Sequence, residues 1–166
     1  QAERERIETM LKRNGYFTFS KNFITFTADT NFRNNRVDLN LIIKNPLRAD
    51  ENGKLKPIRF KRYKFRNVFI YPNYDPFRFS SYRDNGELDT ICRASVYYVF
   101  HQNTGVKLDV IEAFNQLKPN EMYSVDQVNR TQQNLSQIRL FKFVNIELEE
   151  IEAKEQTGEI DFSDID

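Results

Sequence analysis

The chain has 166 residues and a net charge of +1, room for one large or two small domains. Hydrophobic residues at 39% suffice for a packed core, yet no apolar run is long enough to span a bilayer. The regular ten-residue alternation of a membrane barrel is missing too, no signal peptide is visible, and the single cysteine, Cys92, excludes an internal disulfide framework.

The first predicted element is a helix. Ile7, Met10 and Leu11 form its apolar stripe, and Asn14-Gly15 supplies a left-handed stop. Tyr16 and Phe17 follow as covering aromatics. Residues 23–29 read as a strand with one buried face, because Ile24, Phe26 and Ala28 alternate with Thr25 and Thr27. Val37, Leu39, Leu41 and Ile43 alternate with Asp38 and Asn40 in the next strand, which Asn45-Pro46 ends. Asn31, Asn34 and Asn35 suit a hairpin-like connection between the two.

Lys54, Lys56, Arg59, Lys61, Arg62, Lys64 and Arg66 crowd the next stretch. A phosphate or lipid-headgroup patch is one reading of this run; a solvated linker with a basic edge strand is the reading favoured here. KRYKFRNVFIY then alternates as a strand from Tyr63 to Tyr71. Its mixture of basic and aromatic residues raises nucleic-acid binding, which needs Tyr63, Phe65 and Phe69 exposed on an open sheet. The stretch lacks the signature of the commonest RNA-binding sheet, and alternation explains the aromatics as a face packed on helices.

Residues 75–103 hold a polar stretch, SSYRDNGELD, and a strongly β-prone run from Ser95 to Phe100, expected to pair with the strand at 63–71. Cys92 reads as a buried thiol or loop residue, and His101 as an edge or loop residue. Nothing in their spacing implies contact, and no third orienting group stands out. With no phosphate-cradling glycine loop, no GxSxG and no metal-spaced Cys/His cluster, the sequence offers no catalytic constellation and no cofactor or metal site.

A shorter helix follows from Leu108 to Leu117, with Ile111, Phe114 and Leu117 on its apolar side and Asp109 near its start. After the turn at Tyr123-Ser124 comes a thirteen-residue amphipathic helix. Val128, Thr131, Leu135 and Ile138 recur on one of its faces. LFKFVNIELEE then reads as a strand, with Val144, Ile146 and Leu148 on one side and Asn145, Glu147 and Glu149 on the other. Ile160 and Phe162 begin a last strand. The acidic residues from Glu147 to Asp166 could be a cation site, but an acidic strand pair facing water is favoured, since no calcium-binding loop gathers them. Helix-to-strand order thus occurs twice, near each end of the chain, which points to an array of small modules.

The ordered set IETMLKRNGYF, KRYKFRNVFIYPNYDP and LKPNEMYSVDQVNRTQQNLSQIRLFKFVNIELE resembles the POTRA (polypeptide-transport-associated) modules of BamA/TamA-like outer-membrane assembly factors. Lys118-Pro119 and Tyr123-Ser124 match the family's turn between helices, and Leu135, Phe141 and Val144 its core. The resemblance covers most of the chain outside roughly 75–94 and rests on pattern, with no single diagnostic motif. It implies an α+β fold of β-α-α-β-β modules, two helices packed on a small mixed three-stranded sheet. Residues 1–45 would be a partial module of one helix and two strands, 46–61 a linker setting the angle between modules, and 62–166 a second module with an extra ribbon inserted at 75–103. The cut at both ends suggests a fragment of a longer protein.

The function implied by the resemblance is non-catalytic. Such modules hang in the periplasm of a Gram-negative bacterium before an outer-membrane barrel, here absent from the chain, and receive unfolded outer-membrane protein segments. An exposed sheet edge suits that work because its unpaired N–H and C=O groups can accept an extended client as another strand. The family's second strand is the exposed one, which maps to residues 23–29 and 143–149. Phe23, Thr25, Phe143 and Asn145 are then the outward-facing neighbours of the peptide-binding edge. The alternative is a structural spacer or a docking scaffold for accessory assembly lipoproteins.

Overall fold

The computed structural model describes residues 1–31 and 36–151. The expected strand at Ile160 and Phe162, the acidic positions beyond residue 151 and the Asn34-Asn35 connection lie outside the described residues.

Helix α1 spans Ala2–Arg13, with Glu3 and Glu5 in its first turn and Lys12 and Arg13 in its last, each matched to the helix dipole. It buries Ile7 and half-buries Leu11, but Met10, expected on the same stripe, faces solvent. Gly15 ends it as anticipated, at φ +95°, a conformation that L side chains rarely adopt. The next two residues go opposite ways. Tyr16 joins a cluster built on Ile7, Phe19 and Ile24, whereas Phe17 joins the larger core, edge-on to Tyr63 and Tyr123.

A 3₁₀ turn at Lys21–Phe23 leads into β1 (Ile24–Asn31), which pairs antiparallel with β2 (Arg36–Ile43). The stretch read as a linker is partly ordered by a second hairpin, β3 (Leu47–Ala49) with β4 (Leu55–Pro57). Its turn is an Asx structure in which the Asp50 carboxylate accepts from the amides of Asn52 and Lys54. Phe60, at the end of that stretch, packs on Phe19 and Phe23, so the segment contributes to the first cluster.

The strand anticipated over 63–71 is shorter. Only β5 (Val68–Ile70) is in a ladder. Upstream, the backbone of Tyr63 and Phe65 is drawn to the connection between the last two helices. Tyr123 N–H donates to the Tyr63 carbonyl at 2.9 Å and Phe65 N–H to the Glu121 carbonyl at 3.0 Å. Tyr63 N–H itself donates to the carbonyl of Gly15 at 2.9 Å, joining the two halves of the chain.

Helix α2 (Phe79–Asp84) was not anticipated in the polar stretch; β6 (Leu88–Arg93) and β7 (Val96–His101) follow. β7 pairs parallel with β5, as expected for the β-prone run, and antiparallel with β6. The β6–β7 turn is made by Ala94 and Ser95, both at positive φ (47° and 65°), the twist-matching geometry that usually takes Asn-Gly. Cys92 lies exposed on β6, neither buried nor in a loop, and His101 closes the central strand β7.

α3 (Leu108–Phe114) stops three residues short of the expected end. The Asn115 side chain there both donates to the Leu117 carbonyl and accepts from the Leu117 amide, turning the chain while Leu117 stays buried. Phe114 is 39% exposed. α4 (Val125–Gln137) has the thirteen residues and the Val128, Thr131 and Leu135 face that its periodicity anticipated. α3 and α4 share the main core with Val68, Val96 and Tyr98 of the mixed three-stranded sheet, whose order is β5-β7-β6.

The chain is therefore a mixed α+β protein of small sheets and four α-helices among the described residues. The strands of its three-stranded sheet differ from those the POTRA layout assigns. Two of the three come from the stretch read as an insertion, while residues 143–149 join no ladder among the described residues. Alternation in that segment is nonetheless real: Val144, Ile146 and Leu148 pack on the core.

Tyr98 is fully buried and its hydroxyl has no hydrogen-bond partner among the described residues. Burial pushes the hydroxyls of both Tyr98 and Tyr123 above their ordinary value. A raised phenol keeps its proton in the folded chain when the unfolded chain has lost it, so stability is complete below pH ~10 and falls as pH rises beyond that. Tyr98→Phe is expected to raise stability by about 1–2 kcal/mol at neutral pH and to move alkaline unfolding upward. Circular-dichroism pH titration of the two proteins checks both signs.

Candidate sheet-edge site

The β1–β2 hairpin is the longest ladder with open outer edges among the described residues, beside the shorter edges of β3, β4, β5 and β6. Lys44 N–H donates to the Phe23 carbonyl at 2.8 Å, and those two residues are register-mates of the ladder. In an antiparallel pair, bonded and non-bonded mates alternate. Thr25, Thr27 and Asp29 therefore turn their amides and carbonyls toward β2, and Phe26 and Ala28 turn theirs outward, while the Ile24 amide is taken by the Lys21 carbonyl. On β2 the outward groups belong to Val37, Leu39, Leu41 and Ile43. The same residues carry apolar side chains on one face, and Ile42 lies on the other.

α1 covers only the base of that face. Ile24 is buried, and Arg4 lies 5.6 Å above the Phe26 ring. Farther along, Leu39 is 65% exposed and every residue of β2 faces solvent. A two-stranded hairpin is marginal alone in water, so an uncovered apolar face with two open edges is a surface built for completion.

The four residues expected at the peptide edge fare differently. Phe23 sits in the 3₁₀ turn before β1, half-buried with its ring against Phe19 and Phe60, and its carbonyl is occupied by Lys44. It is not an outward neighbour. Thr25 is half-buried and its backbone faces β2, so the open groups of the edge belong to the intervening residues instead. Phe143 is 62% exposed and Asn145 is exposed, its amide donating to Glu147 at 2.8 Å. The segment they sit in joins no ladder among the described residues. The Gln132 side chain of α4 reaches the Val144 carbonyl at 3.4 Å there.

The signal that sequence reading missed was parity. Asn45-Pro46 fixes the end of β2, and the bonded register follows from the mates next to it; alternation of side chains alone could not say which strand edge each amide faces.

Other surfaces offer less. The hollow under α2, lined by Tyr71, Tyr74, Phe79 and His101, encloses about 10 Å³, and that between Arg48, Phe60, Tyr63 and Glu150 about 30 Å³. Neither approaches the size that encloses a small organic ligand. His101 stacks flat on Tyr82 at 3.9 Å and meets Glu87 at 3.3 Å. Cys92 is the mate of Tyr97 and His101 of Leu88, so thiol and imidazole lie four rungs apart along the sheet. Tyr63, raised as a nucleic-acid stacking residue, is half-buried against Phe17 and donates its hydroxyl to Glu150 at 2.7 Å. No group of metal-ligating side chains gathers among the described residues, and no described helix is long and apolar enough to cross a membrane.

Comparison with family models, curated proteins and solved structures returns no match for this chain.

Proposed function

We propose that the chain is a non-catalytic peptide-handling segment of an outer-membrane protein assembly or translocation factor. It takes unfolded client polypeptides by adding them as a strand to the outer edge of β1. The observation carrying this reading is the row of outward amides and carbonyls at Phe26 and Ala28, beyond the Ile24 amide that the Lys21 carbonyl occupies. An extended client there would form main-chain bonds whatever its sequence, and its side chains would alternate between the apolar face and the Thr25-Thr27 face. Each bond contributes about 0.5–1.5 kcal/mol net, so a few of them give reversible handling. The resemblance to POTRA modules supplies the periplasmic setting and the class of client.

Ala28→Pro tests the edge with little collateral change, because the lost amide points away from β2 and proline is tolerated on an outer edge. Isothermal titration with an extended, alternating barrel-strand peptide should show weak, salt-tolerant binding to the parent chain and at least about tenfold weaker binding to the variant. Thr27→Pro, which removes a ladder bond instead, should unfold the hairpin. Unchanged affinity in a folded Ala28→Pro protein would rule out this edge, and steep weakening with salt would point to nucleic acid instead.

A further inference from the structure

We infer that the outer edge of β2 pairs with β2 of a second copy of this chain, forming a continuous four-stranded antiparallel sheet across a two-fold axis. The argument begins with charge. Asp29 and Asp38 are direct mates across the hairpin, an opposition of like charges that destabilises a ladder. Neither has a cation partner among the described residues, and Lys44, exposed at the far end of the same strand, has no anion partner there.

Register then leaves few choices. The outward amides and carbonyls of β2 belong to the odd-numbered residues from Val37 to Ile43, so a copy related by two-fold symmetry must pair odd with odd. With Leu41 on the axis, Leu39 faces the partner's Ile43, and Asp38 faces the partner's Lys44. Sliding the centre to Asn40 sets Arg36 against Lys44. Moving it to Leu39 sets Asp38 against Asn40. A Val37-centred register sets Arg36 against Asp38 but pairs only three residues of β2; of the registers that pair five or more, only the Leu41-centred one gives both copies a cation beside the crowded aspartates, and symmetry forms that ion pair twice. Asp38 and Lys44 are non-bonded mates in it, the class whose side chains approach most closely. The apolar faces of the two hairpins fall on the same side of the joined sheet, with Leu39, Leu41 and Ile43 of each copy side by side at its centre. The β1 edges remain free at either end, so the pairing is independent of client addition there.

Sedimentation velocity of the 166-residue chain should show a concentration-dependent dimer. Asp38→Lys places like charges together twice across the axis and should raise the dimer dissociation constant at least about tenfold. It also relieves the Asp29–Asp38 opposition within one chain, so unfolding does not account for the loss. Asp38→Lys combined with Lys44→Asp should restore the dimer, and Leu41→Cys should form an intermolecular disulfide under mild oxidation in a Cys92→Ser background. A chain that stays monomeric, or a dimer indifferent to the charge reversal and its rescue, overturns the proposal. Peptide binding that Leu41→Pro abolishes in a strictly monomeric chain would assign the edge to a client instead, and overturns it equally.

Discussion

Gly15→Ala is expected to lower the unfolding free energy by about 2–4 kcal/mol, the combined cost of a left-handed alanine and of crowding a filled site. A Cβ at this position would lie 2.7 Å from Met122 Sδ and 3.3 Å from Arg62 Cβ. The same residue's carbonyl receives the Tyr63 and Phe17 amides, so the backbone cannot swing away to make room without breaking those bonds. The two contributions can be separated. Met122→Ala removes the thioether and should recover the crowding part in the double variant, leaving the backbone part of about 1–2 kcal/mol. Chemical denaturation of the four proteins reads this directly. A Gly15→Ala variant as stable as the parent would mean that the helix stop and the contact with Met122 are both dispensable.

Phe19→Ala should cost about 3–5 kcal/mol locally, since Phe19 is the largest of the three buried side chains that hold α1 to the first hairpin. Its ring lies 4.9 Å from that of Phe60 and 6.1 Å from that of Phe23, so truncation also loosens the segment after β4. The hairpin has little else beneath it. Amide exchange should therefore accelerate over residues 24–31 and 36–43 well before it does over 96–101, whose strand is held by the larger core. Should β7 amides open at the same free energy as those of β1 in this variant, the two clusters melt together and the cost would be global.

How much of this was legible beforehand depended on the range of the signal. α4 could be read nearly to the residue, because Val128, Thr131 and Leu135 keep a helical period between a polar turn and a strand-like run. The β1–β2 pair was legible through strict alternation. Helix α2 was not: Phe79–Asp84 is short and polar, and it is started by the Asp75 carboxylate accepting from the Phe77 amide and steadied by Tyr82 against His101. Contacts between residues nineteen apart leave no local pattern. The Asp50 turn did carry a local signal, Asp-Glu-Asn-Gly, that composition as a linker obscured. At the edge site, the strand was found but the parity was not, and parity decides that Phe26 and Ala28 matter where Phe23 does not. The alternation at 143–149 correctly gave the inward side chains, yet pairing depends on a neighbour that alternation cannot specify.

Tyr16 and Phe17 have a consequence for how the two ends of this chain are aimed. One peptide unit separates a ring anchored in the first cluster from a ring anchored in the second, and Gly15 behind it supplies the only permissive torsion nearby. Bearing and tilt of the hairpin relative to the helical pair are thus set at this pivot together with the Arg13–Asp126 ion pair between α1 and α4 and the Tyr63–Gly15 backbone bond. Lengthening the Asp50 turn should leave that aim almost untouched, whereas a single methyl at Gly15 should deflect it.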